Sequence, residues 1–164
     1  MKQYGVVGWK NTGKTGLITR LVTEFCARGL TVSTIKHAHH SFDVDQPGTD
    51  SMRHRRAGAQ EVILASERRV ALMQELPDTS GTPSLSDLMA RLSPVDLVLI
   101  EGYKAAPHPK IETHRAAANQ PLIAPNDPSI RAVASDVALS ASVPVFDLDD
   151  TAAIADFIAA DILA

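Results

Sequence analysis

Apolar positions along the chain follow two rhythms, and the rhythms alternate. Gln3-Tyr4-Gly5-Val6-Val7 is a short β-prone run. Leu17, Ile18, Leu21, Val22, Phe25 and Cys26 then recur at helical spacing, which predicts a helix over 14–28 that stops at Gly29. On this reading Cys26 sits on the apolar face, as core rather than as a reactive thiol. Thr31-Val32-Ser33-Thr34-Ile35 is β-branched and follows a glycine turn, so it predicts a second strand. Strand, helix, strand in this order implies a parallel pair with a right-handed crossover.

The later pattern is less regular. Residues 51–57 read as helical. Val62-Ile63-Leu64-Ala65 and Val70-Ala71-Leu72-Met73 flank a polar centre at 66–69, which predicts a β-hairpin. Such a hairpin is expected to extend a sheet edge, and exposed edges invite partners, so it is a candidate dimer element. Residues 75–83 form a turn-rich linker. Ser84 and Asp87 resemble a capping box, and Leu85, Leu88, Met89 and Leu92 form the buried stripe of the helix that follows, with Pro94 at its end. Leu97-Val98-Leu99-Ile100 is a continuous aliphatic run, the mark of a central strand buried on both faces. Short strands are expected at 110–113, 122–124, 130–134 and 144–146. A last helix begins near Asp150 and Thr151 and carries Ile154, Phe157, Ile158 and Ile162.

The chemistry enters between the first strand and the first helix. Residues 8–15 read Gly-Trp-Lys-Asn-Thr-Gly-Lys-Thr, matching G-x-x-x-x-G-K-[ST] at every fixed position. Gly8 and Gly13 permit a tight turn whose amides converge on phosphate oxygens. Lys14 brings a compact positive charge to the β- and γ-phosphates, and Thr15 a hydroxyl suited to Mg²⁺. Strand, glycine loop and helix stand in the order a phosphate loop requires. The fold expected is therefore an α/β, P-loop NTPase-like three-layer fold. It has a mostly parallel central sheet flanked by helices, an inserted hairpin at about 60–75, and a single nucleotide-binding domain over 1–164.

Two further stretches bear on the same site. The run from Lys36 to Ser51 lacks periodicity and puts three histidines and three aspartates into positions 37–50. It follows a strand, and ligands in open parallel sheets lie beyond the carboxyl ends of strands. Asp50 is the first choice there for Mg²⁺ or for orienting a water. His37, His39 and His40 are alternative metal ligands. Glu101, at the end of the aliphatic run and followed by Gly102, has the layout of a Walker B acid, near Mg²⁺ or its waters. Lys104, Lys110 and Arg53, Arg55 and Arg56 are candidates to approach phosphate or substrate. Asp127 and Asp136, in distal loops, are candidates to read guanine, and neither lies in an N-K-x-D context.

Composition narrows the partners. The formal charge is −3 and aromatics make up 4%, so no basic excess points to nucleic acid. One cysteine excludes an internal disulfide. No apolar run approaches the ~20 residues of a membrane span and no signal peptide precedes the first strand, so a cytoplasmic location is the expectation.

Assembled, these residues resemble a known family. The chain is similar to the molybdopterin-guanine dinucleotide biosynthesis adaptors, the MobB family. The resemblance rests on the loop at 8–15, Ile35-Lys36-His37 with His39-His40, Asp43-Val44-Asp45, Pro47-Gly48, Asp50-Ser51 and Ala57-Gly58-Ala59. It continues through Ala71-Leu72-Met73, Glu101-Gly102-Tyr103-Lys104, Lys110-Ile111, residues 132–136 and Ala155-Asp156-Phe157. The resemblance implies a GTP-binding homodimer with weak GTPase activity, its hairpins at the interface. It implies assistance to the nucleotidyltransferase MobA, which joins molybdopterin to GMP from GTP. The candidate nucleotide contacts are then Gly8, Asn11, Thr12, Gly13, Lys14, Thr15 and Gly16, with His37 and His39 from the histidine loop, which meets the pterin or the partner. Lys14, Asp50 and Glu101 are the candidate catalytic residues, and Thr15, Asp50 and Glu101 the candidate Mg²⁺ ligands. Two other functions stay open on the residues alone: a P-loop small-molecule kinase, and a metal-binding module built on the histidines at 37–40.

Overall fold

The computed structural model describes residues 1–38, 42–77 and 81–163. His39 and His40 lie outside the described residues, as do Asp78 and Ser80 of the linker. In chain order the elements are β1 (Lys2–Val7), α1 (Lys14–Ala27), β2 (Val32–Lys36), α2 (Asp50–Arg56), β3 (Glu61–Ala65), β4 (Val70–Gln74), α3 (Leu85–Met89), β5 (Leu97–Glu101), β6 (Lys110–His114), β7 (Ile130–Ser135), β8 (Val145–Asp147) and α4 (Thr151–Leu163). Single 3₁₀ turns occupy Ala116–Ala118 and Ala124–Asn126. The chain packs as two compact units, Met1–His37 with Leu85–Ala164, and Ala38–Ser84.

The first unit is built on a six-stranded sheet of order β2-β5-β1-β6-β7-β8, parallel at every pairing. All six carboxyl ends therefore share one edge. Alternation along each strand sorts side chains between two helical layers. Tyr4, Val6, Leu97 and Leu99 face a core completed by Leu17, Leu21 and Phe25 of α1 and Ile154 and Ile158 of α4. Val98 and Ile100 point the other way with Ile35, against Leu85, Leu88, Met89 and Leu92. The stripe expected on the third helix is thus the cover of the second face. β5 is buried at every position, as its unbroken aliphatic run predicts.

Three expectations fail for identifiable reasons. Residues 122–124 do not form a strand. The Ile123 and Ala124 amides donate instead to the buried Glu112 carboxylate at 2.8–3.0 Å, and the 3₁₀ turn follows at once. With its amides bonded to a side chain, the segment cannot join the ladder. Cys26 is exposed, not core. It projects roughly 100° beyond Phe25 around α1, past the edge of the buried stripe. The hairpin pairs as a two-stranded sheet of its own and does not extend the main sheet.

Gly5 lies inside β1 because a side chain there has no room. A Cβ would stand 2.5 Å from Nε2 of His108, whose ring packs against the strand. His108 is buried, and neither ring nitrogen has a hydrogen-bond partner among the described residues. Burial, reinforced by the Lys110 ammonium, pushes its pKa down to about 4. The unfolded chain holds this proton near the ordinary value of 6.5, so between those values it binds more protons than the folded one. Stability is complete above about 6.5 and falls as pH drops toward 4, by roughly 3 kcal/mol for this residue. Urea midpoints measured across this window test the point. His108→Gln, which cannot titrate, is expected to flatten the slope; an unchanged slope contradicts the assignment.

In the second unit, Thr49 caps α2 by accepting the Met52 amide. Arg55 gathers Asp43 at 2.7 Å, Asp45 at 3.0 Å and Glu75 at 2.6 Å, tying the acidic loop and the end of the hairpin to the helix. β3 and β4 pair from Glu61↔Gln74 to Ala65↔Val70 around the expected four-residue turn. Val62 is buried on one face of this sheet, whereas Ile63, Val70 and Leu72 leave the opposite face apolar and exposed.

Candidate functional site

The site lies at the carboxyl edge of the main sheet, where β1 turns into α1. Gly8 sits at φ +148°, and a Cβ there would meet the Thr113 carbonyl oxygen at 2.5 Å and the Thr12 and Thr113 hydroxyls at 2.6 Å. Thr12 is buried and its hydroxyl reaches the Trp9 carbonyl at 2.9 Å, so its side chain holds the loop's shape and leaves only its backbone for a ligand. Asn11 adopts a left-handed conformation at φ 65°, and Gly13, at φ +98°, is the N-cap of α1. No side chain caps this helix and no acid occupies its first turn. The amides at its start, including those of Lys14, Thr15 and Gly16, have no intrahelical acceptor and offer an anion the positive end of the helix. Lys14 folds back over the loop, donating to the Gly8 carbonyl at 3.1 Å and the Trp9 carbonyl at 2.6 Å. Burial draws its ammonium below the usual lysine value, against the opposing pull of Glu101.

The expected acid meets the expected hydroxyl. Thr15 Oγ1 donates to Glu101 at 2.9 Å to Oε1 and 3.1 Å to Oε2, across 86 residues of sequence. Glu101 is buried, and its Oε1 also faces Lys36 Nζ at 3.2 Å. Asn11, Gly13, Lys14, Thr15, Gly16, Glu101 and Arg115 line one cleft of about 410 Å³. A hydroxyl and a carboxylate side by side are hard oxygen donors of the kind Mg²⁺ takes. Among the described residues no group of three His, Cys, Asp or Glu forms a metal cage.

Other candidates fall elsewhere. His37 adjoins the acid: its amide donates to the Glu101 carbonyl at 2.9 Å and its ring lies 4.9 Å from that of Tyr103. Asp50 opens α2 in the second unit and faces Arg53 at 3.5 Å. Lys104 lies over the Trp9 ring at 4.0 Å, bracing the outer wall of the loop. Lys110 does not approach a substrate: it is buried, bonded to Asp127 at 3.0 Å and to Ser129. Asp127 precedes β7, at the edge opposite the phosphate loop, whereas Asp136 follows β7 at the same edge. Lys36 and Arg115 were not among the expected site residues. Their one sequence signal is position, at or just past the carboxyl end of a strand.

Comparison with known proteins shows the family. A family model described as molybdopterin guanine dinucleotide synthesis protein B, MobB, matches residues 4–136. The chain belongs to the MobB family. The molybdopterin-guanine dinucleotide biosynthesis adapter protein of Escherichia coli strain K12 is 43% identical over 92% of this chain and 87% of its own length. Its counterpart in Haemophilus influenzae is 41% identical over 94% and 85%. Among solved structures, the MobB homolog of Bacillus stearothermophilus superposes with a TM-score of 0.71 at 26% identity, covering 99% of both chains. Bacillus subtilis MobB shares the fold, with a TM-score of 0.76 at 23% identity over 99% of this chain and 98% of the other. The expected α/β P-loop architecture is thereby established for this member of the family.

Proposed function

We propose that this chain binds GTP with Mg²⁺ at the 8–15 loop and acts as an adapter in molybdopterin guanine dinucleotide biosynthesis, assisting the MobA nucleotidyltransferase in the cytoplasm. The observation that carries the reading is the Thr15–Glu101 contact beneath an uncapped helix start, with Lys14 poised over the same loop. Loop amides and Lys14 hold the β- and γ-phosphates. Thr15 and Glu101 would hold Mg²⁺, which would supply charge neutralisation on those phosphates. In the weak GTPase reaction Glu101 orients the attacking water and Lys14 neutralises charge at the phosphoryl oxygens. His37 would meet the pterin or the partner enzyme. Two copies of the chain associate through the exposed hairpin face of Ile63, Val70 and Leu72.

The test is reconstitution. Added to MobA, molybdopterin and GTP, the chain is expected to raise dinucleotide yield several-fold while turning over GTP slowly on its own. ATP-dependent phosphorylation of a small acceptor, or no change in MobA output, overturns the adapter reading. Of the three helix arginines that would serve a kinase, Arg55 is committed to three carboxylates.

A further inference from the structure

A second cleft adjoins the phosphate loop along the carboxyl edge of β7 and β8. It has a volume of about 410 Å³, with Asp136, Val137, Leu139, Val145 and Phe146 among its walls. Two links join it to the phosphate cleft. The Ala116 amide donates to Asp136 Oδ1 at 2.9 Å, and Ala116 directly follows Arg115, which lines the phosphate cleft. Leu148 stands against Gly13 of the loop, one residue beyond Asp147 of the second cleft.

Arg115 is the residue between them. Its Nε would lie 3.2 Å from a Cβ at Gly13, so the guanidinium lies close against the loop. Arg115 is exposed and makes no side-chain hydrogen bond or ion pair among the described residues. Asp136 is also exposed; Oδ1 is fixed by the Ala116 amide and Oδ2 has no protein partner among the described residues. A planar cation and an oriented carboxylate thus stand by a cleft of mixed polar and apolar walls, next to the phosphate loop. A guanidinium plane stacks on nucleobases. A carboxylate accepts and cannot donate, so it pairs with the adjacent N1–H and N2–H of guanine and repels the N1 acceptor of adenine.

We infer that Arg115 and Asp136 form the nucleobase site, Arg115 as the stacking surface and Asp136 as the group that selects guanine. The inference rests on the phosphate-loop reading above and deepens it. It also separates the two aspartates named from sequence. Asp127 lies at the opposite edge, with its carboxylate held by Lys110 and Ser129.

The experiment measures affinities of the full chain for GTP, ITP, XTP, ATP and inorganic tripolyphosphate, each with Mg²⁺. The parent is expected to bind GTP at least tenfold more tightly than ITP, XTP or ATP. Asp136→Asn keeps an acceptor oxygen for the Ala116 amide, so the fold is retained. Its new amide N–H can donate to the C2 carbonyl of xanthine, and the preference is expected to move from GTP to XTP by tenfold or more. Arg115→Ala is expected to weaken all four nucleotides by a clearly larger factor than tripolyphosphate, which loses only the general attraction of one cation beside the phosphate cleft. Parent binding without base preference, an Asp136→Asn protein that still favours GTP, or an equal loss of tripolyphosphate in Arg115→Ala overturns the base site while the phosphate reading stands. Failure of the parent to bind tripolyphosphate or any nucleotide overturns both.

Discussion

Lys14→Ala is expected to weaken GTP binding roughly a hundredfold. The ammonium reaches the Gly8 and Trp9 carbonyls at 3.1 and 2.6 Å, directly over the loop, so a phosphate chain laid on the helix start lies within its reach. A hydrogen bond to a charged group contributes about 1.5–3 kcal/mol, and Lys14 makes more than one to the β- and γ-phosphates. About 3 kcal/mol lost corresponds to ~100-fold. The neighbouring cations do not substitute: Lys36 is held at Glu101 and Lys104 over Trp9. Lys14→Arg is not expected to rescue, because the planar fork is larger and differently shaped than a point ammonium. Titration calorimetry reads the effect, and circular dichroism should show an unchanged fold. Affinity within a few-fold of the parent removes Lys14 from the site.

Gly8→Ala is expected to disrupt the loop itself. The added methyl meets the Thr113 carbonyl oxygen at 2.5 Å and two hydroxyls at 2.6 Å, and Thr113 belongs to a buried strand that cannot recede. The backbone at φ +148° adds strain for any residue with a Cβ. Together these predict a loss of about 3 kcal/mol, or roughly 10 °C in Tm for a chain of this size. Gly16→Ala is the control. Gly16 lies inside α1, the nearest atom to its Cβ position is the tip of Arg20 at 3.7 Å, and alanine there should be neutral or slightly stabilising. Equal Tm values for the two variants would contradict the loop geometry.

The parts of the site that sequence revealed are those whose chemistry depends on local spacing. Residues 8–15 form a phosphate loop because each fixed position serves the turn, the charge or the hydroxyl. Glu101 was legible because an aliphatic run ending in an acid and glycine places that acid at a strand's carboxyl edge. The parallel sheet followed from the same alternation of rhythms. What stayed hidden depends on contacts distant in sequence. Glu112 looks like an ordinary strand residue, yet it takes the amides that would have made residues 122–124 a strand. Lys110 and Lys104 look equivalent in the chain, but one is a buried partner of Asp127 and the other braces Trp9. Asp127 and Asp136 could not be ranked while residues 122–124 read as a strand, which would have put Asp127 at a carboxyl edge as well; with that segment a 3₁₀ turn, Asp127 merely precedes β7 and Asp136 follows it. Arg115 belongs to no motif; its place against Gly13 is a product of β6 lying beside β1.

The most direct test of the account is a titration of the parent chain with GTP, with and without Mg²⁺. The arrangement of Lys14, Thr15 and Glu101 predicts saturable binding at one site per chain, strengthened at least tenfold by Mg²⁺. Absence of GTP binding, or affinity indifferent to Mg²⁺, would contradict it.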